Sequence, residues 1–82
     1  MQYNIARAIK RVRQDADLTL RAVGKLSGVK FQRIHQYEKG ELVPTIENAR
    51  RISEACGVSI IRLFKIAEVG GNNGNKDVRD KG

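Results

Sequence analysis

The chain has 82 residues, 40% of them hydrophobic and none of them tryptophan, which predicts one small domain with a thin core. Lys and Arg number 16 against 9 Asp and Glu, a formal net charge of +7 that fits a polyanionic partner without separating DNA from RNA or an anionic membrane. The single cysteine excludes an internal disulfide and suits a cytoplasmic location, while the early charges of MQYNIARAIKRVRQ and the lack of a long apolar run argue against a signal peptide or a membrane span.

Asn4 can cap a first helix over Ile5–Asp15, whose apolar stripe is Ile5, Ala8, Ile9 and Val12. Arg7, Lys10, Arg11 and Arg13 fall on other faces, where they either stay solvated or touch phosphate. Arg11 is a phosphate candidate. Ala16-Asp17 makes a turn that Asp tolerates in a left-handed conformation. A second helix is expected over Thr19–Ser27, with Thr19 as N-cap and Leu18, Val23 and Leu26 as its apolar positions. Arg21 and Lys25 share one face of it, and Arg21 is the better phosphate candidate. Gly24 lies inside the helix at a cost of ~1 kcal/mol relative to Ala, which close helix packing would offset. Gly28 suits a left-handed position just past the helix end.

A third helix is predicted from Lys30/Phe31 to Lys39. If Ile34 and Tyr37 face the core, then Gln32, Gln36 and Lys39 point away from it, with His35 alongside and Phe31 and Arg33 on the flanks. Gln can bond adenine N6 and N7 together, and Arg can bond guanine O6 and N7, while Phe31 could pack on a thymine methyl. Gly40 ends this helix, and Leu42-Val43 in the following loop either cover the core or meet a second subunit. A fourth helix runs from Thr45/Ile46 to Cys56, with Ile46, Ala49, Ile52 and Ala55 as its core stripe and Cys56 as a small buried hydrophobe. Its start, at Thr45, could hold a phosphate through backbone N–H groups. Ser59 caps a fifth helix over Ile60–Glu68, and the Gly/Asn-rich residues 70–82 read as a flexible tail behind a domain at 1–69.

Helix, glycine corner and helix over Leu18–Gly40 form a helix-turn-helix pattern. An ordered set of features accompanies it: Val12-Arg13, Ser27-Gly28-Val29, Ile34, Tyr37-Glu38-Lys39-Gly40, Pro44 and Gly57-Val58-Ser59. Together, from about Ile5 to Ala67, these resemble the Cro/repressor-type (XRE-like) helix-turn-helix proteins of bacteria and their phages. The resemblance implies an all-α, compact five-helix domain that binds a double-stranded DNA operator. It implies base readout at Phe31, Gln32, Arg33 and Gln36; the phosphate candidates read from the residues themselves are Arg11, Arg21, Lys30, Lys39 and Thr45. The resemblance also implies a partly buried ion pair between Arg13 and Glu38. The chain departs from relatives at Leu20, where they often carry Gln, in the acidic-then-apolar loop Glu41-Leu42-Val43, and at Ile61, where they usually carry a charge.

Ile61 falls off the helix-five core stripe of Ile60, Leu63 and Phe64, and Ile66 lies near its edge. Such a patch predicts a homodimer through helix five, which would place two reading helices about one DNA turn apart. The expected role is a transcriptional regulator acting as a repressor. The alternatives are an antitoxin that holds a toxin, or a restriction-modification controller protein; a toxin or antirepressor would then be the protein partner. Neither a nucleophile–base set nor a metal-ligand spacing is present, so no enzyme activity, cofactor or metal is expected.

Overall fold

A computed structural model describes residues 2–69; the stretch 70–82, read above as a flexible tail, lies outside the described residues. The helices are α1 (Ile5–Asp15), α2 (Leu20–Ser27), α3 (Phe31–Glu38), α4 (Ile46–Ala55) and α5 (Ile60–Ala67), and the architecture is all-α. Four of the five helices begin at a side-chain cap. Asn4, Thr19, Thr45 and Ser59 each accept from the backbone N–H three residues on, at 3.0–3.1 Å. Each such bond satisfies a donor that has no partner inside the helix. Asp17 takes the left-handed conformation expected of it, with φ 57°.

Every helix sends one branched side chain fully out of solvent: Ile9 from α1, Val23 from α2, Ile34 from α3, Ile52 from α4 and Leu63 from α5. At about 1.5–3 kcal/mol per buried side chain of this kind, these five anchor the fold. Around them pack Ala8, Val12, Val29, Tyr37, Ala49, Cys56 and Ala67. Helix α1 lies along α5 and α3, while α2 lies along α3 and α4, so the two helices of the corner are braced from different sides.

Two residues expected in the core are at the surface. Leu26 is 64% exposed and Ile46 is 67% exposed. On α2, Leu20 and Leu26 lie about 60° to either side of Val23 around the helix axis. The neighbouring helices cover the Leu20 flank, so Leu20 packs against the core and Leu26 does not. Ile46 has a suitable angle but occupies the first residue of α4, at the end of the helix remote from Ile52 and Cys56. The polar Ser53 takes a core position instead, its hydroxyl donating to the Arg50 carbonyl at 3.0 Å. The loop hydrophobics do not close the core either: Leu42 is 38% and Val43 82% exposed.

The ends of the described chain meet. Gln2–Tyr3 (β1) pairs antiparallel with Glu68–Val69 (β2), a two-residue ladder that the sequence pattern did not indicate. The Asn4 N–H donates to the Ala67 carbonyl at 2.7 Å, and Arg7 Nη2 donates to the Ile66 carbonyl at 3.0 Å. Arg7 thereby satisfies a carbonyl at the C-terminal end of α5, where a cation is also favoured by the helix dipole. Tyr3 and Phe64 stack edge-to-face over this junction, with centroids 5.6 Å apart.

Candidate nucleic-acid interface

The corner between α2 and α3 is set by two glycines with different functions. Gly28 adopts φ 78°, a left-handed conformation a side chain would strain, and its N–H closes α2 on the Gly24 carbonyl at 2.9 Å. Gly24 has ordinary helical backbone, but a Cβ there would lie 3.0 Å from the Val29 carbonyl oxygen and 3.2 Å from Phe31 Cβ. The glycine therefore lets α3 start directly against α2.

Helix α3 is eight residues long, roughly 12 Å at a rise of 1.5 Å per residue, comparable to the width of the DNA major groove. Ile34 and Tyr37 hold its inner face in the core, and the Tyr37 hydroxyl accepts from Asn48 Nδ2 at 3.0 Å. With those two residues fixed, Gln32, Arg33, His35 and Gln36 are exposed on the other side, and Phe31 is half-buried at the N-terminal end.

Helix α3 is also tied to α1. Arg13 meets Glu38 through two parallel bonds, Nε to Oε2 at 2.7 Å and Nη2 to Oε1 at 3.1 Å, and its Nη1 donates to the Leu18 carbonyl at 2.9 Å. The Glu38 side chain is 4% exposed and that of Arg13 is 16% exposed. Donation to the Glu38 carboxylate, outweighing the opposing effect of burial, holds the Arg13 guanidinium more firmly protonated than usual. Close by, burial pushes the Cys56 thiol up, only partly offset by Arg13, so Cys56 stays a neutral packing residue.

The cations around this helix fall into two groups. Several carry a carboxylate partner: Arg11 with Asp15 at 3.6 Å, Lys39 with Glu41 at 3.1 Å, and Arg50 and Arg51 both with Glu47. These pairs are exposed and screened by solvent, so a phosphate could displace the carboxylate. Arg21, Lys25, Lys30 and Arg33 have no carboxylate partner among the described residues and gather at the α2–α3 corner. Three of them line a shallow hollow with Gly24, Phe31 and Gln32. The Arg21 guanidinium lies over the Phe31 ring, 4.4 Å from its centroid. The Thr45 hydroxyl is occupied as the α4 cap, accepting from the Asn48 N–H at 3.1 Å.

Of the residues singled out in the sequence, the fold thus gathers Arg21, Lys30, Phe31 and Gln32 around one hollow, with Arg33 and Gln36 exposed further along α3. Ile61, on α5, is 67% exposed, whereas Ile66 is half-buried against the core and its carbonyl is held by Arg7. Sequence reasoning missed the Arg21–Phe31 stack, the Asn48 bond to Tyr37 and the Arg7 tie to α5. Each joins residues on different elements, so no local periodicity could reveal it. Among the described residues no group of three or more His, Cys, Asp or Glu is placed to hold a metal ion, and no helix is long and apolar enough to cross a membrane.

A glycine-cornered pair of helices, the second presenting amides and a guanidinium amid exposed cations, defines a helix-turn-helix nucleic-acid-binding domain. The sequence matches the helix-turn-helix family HTH_3 over residues 9–63, and the chain belongs to that family. Among solved structures, it is similar to an HTH_3 family transcriptional regulator from Vibrio cholerae, with a TM-score of 0.72 and 32% identity. That likeness covers 77% of this chain and 35% of the Vibrio cholerae chain, so this chain spans about a third of that protein's length. No curated protein matches the chain.

Proposed function

We propose that this chain is a transcriptional regulator that binds a specific double-stranded DNA site and represses by occupying it. In this reading α3 lies in the major groove, where Gln32, Arg33 and Gln36 read base edges and Phe31 sits at the groove end. The observation that carries it is the company these residues keep. An outward row of bidentate-capable side chains stands beside four cations that no carboxylate of the described chain neutralises. Such cations supply affinity through counterion release, and the base contacts supply discrimination. Arg21 and Lys30 hold phosphates directly, and Arg11, Lys39 and the start of α4 at Thr45 extend the contact along the backbone. Ile61, exposed on α5, centres a homodimer surface with Ile66 at its edge, so that two copies engage a near-palindromic site in the cytoplasm.

Selection of bound duplexes from a random pool tests the reading, followed by a reporter placed under the recovered site. A two-fold symmetric consensus whose occupancy lowers reporter output is the expected result. Recovery of no sequence preference would refute specific recognition, and raised output would refute repression.

A further inference from the structure

Phe31 is placed unlike the other residues of the outer face of α3. It is half-buried, its backbone N and Cβ lie 3.2 Å from where a Cβ at position 24 would stand, and the Arg21 guanidinium covers its ring at 4.4 Å. Arg21 itself is exposed, has no carboxylate partner among the described residues, and stands on α2 rather than on α3. A long arginine side chain on a helix surface samples many rotamers, and ordering it on binding opposes affinity. An aromatic face removes much of that freedom, because it attracts the guanidinium through the ring quadrupole and leaves the N–H donors, which lie in the guanidinium plane, directed outward.

We infer that Phe31 is a positioning residue for Arg21. The ring pre-orients the guanidinium to take one DNA phosphate at the α2–α3 corner, and Phe31 contributes to affinity through Arg21 rather than by packing on a thymine methyl. Gly24 belongs to the same device, since it sets the depth at which the ring sits. The unit acts on any sequence, because phosphate carries no base identity. The inference rests on the proposed DNA-binding function and assigns Phe31 a different partner within it.

The test is a double-mutant cycle of Arg21→Ala and Phe31→Leu, read by binding to the selected site and to random duplex across a salt series. Thermal melts of each variant confirm folding. Arg21→Ala should lower the salt slope by about one phosphate contact. Phe31→Leu should weaken both duplexes about two- to fivefold, the range open to an exposed cation–π contact, and move the slope in the same direction. In the Arg21→Ala background Phe31→Leu should then have no further effect. Phe31→Trp, which keeps an aromatic face, should retain the wild-type slope on random duplex; this variant decides the matter if the leucine variant does not fold. Replacing every thymine of the site by deoxyuridine should leave the effect of Phe31→Leu unchanged. Multiplicative effects in the cycle, a slope lost in Phe31→Trp, or an effect of Phe31→Leu that vanishes on the deoxyuridine site would each overturn the inference while leaving the DNA-binding function standing. A wild-type chain that binds no duplex would overturn both.

Discussion

Breaking the Arg13–Glu38 pair should destabilise the domain asymmetrically. Arg13→Met removes both bonds to a carboxylate that is only 4% exposed and leaves it charged and without its partner. Stranding a buried charge in this way costs about 3–5 kcal/mol. Glu38→Gln leaves Arg13 with its bond to the Leu18 carbonyl and with 16% of its side chain in water, so the loss is nearer the ~1.5–3 kcal/mol of a charged hydrogen bond. A domain of this size loses about 4–8 °C of Tm per kcal/mol, so Arg13→Met should melt at least roughly 12 °C below wild type. The double variant Arg13→Met/Glu38→Gln, with no charge left to strand, should be no worse than Arg13→Met alone. Urea unfolding of the four proteins measures the coupling. A coupling energy below about 0.5 kcal/mol, the scatter expected of independent sites, would refute the claim that the pair acts as one unit. Because Glu38 ends α3, loss of the pair should also weaken DNA binding under conditions where the variant remains folded.

Gln32→Ala should cost about 1–3 kcal/mol on the selected site and relax preference at one position, with little change on random duplex; equal weakening of both would remove Gln32 from base readout. Gly24→Ala gains ~1 kcal/mol of helix propensity but sets a Cβ 3.0 Å from a backbone oxygen, so a net loss of Tm is expected, and a gain would show that the corner can relax. Ile61→Glu should yield monomers in sedimentation and weaken the full site far more than a half-site. Hydrogen bonds from Arg51 and then Arg50 hold the Glu47 carboxyl below its ordinary value of 4.5. Its folded pKa is therefore the lower one, and its contribution is present above pH 4.5 and lost as pH falls through the folded value. Glu47→Gln should accordingly flatten the acid side of a stability–pH curve, and an unchanged curve would show the network to be inert.

Much of the fold was legible because its signals are local. The four side-chain caps, the left-handed Asp17 and Gly28, and the inner pair Ile34 and Tyr37 on α3 each depend on a few neighbouring residues. The outward placement of Gln32 and Gln36 follows from the same 3.6-residue period. Where the reading went astray, the period itself was ambiguous or silent. Leu20 and Leu26 flank Val23 almost symmetrically, so only the position of the neighbouring helices selects which is buried. Ile46 shows that a period fixes the angle around an axis and not the distance along it.

What the sequence determined by itself is therefore the set of helices, their caps and corners, and the chemistry displayed by α3, all consequences of backbone geometry within one or two turns. Tertiary structure alone decided which cations are neutralised and which are left for a partner, that Arg7 holds the end of α5 from 59 residues away, and that Arg21 rests on Phe31. Those outcomes depend on how whole helices cross, and a side chain's partner on another helix leaves no trace in the spacing of its own.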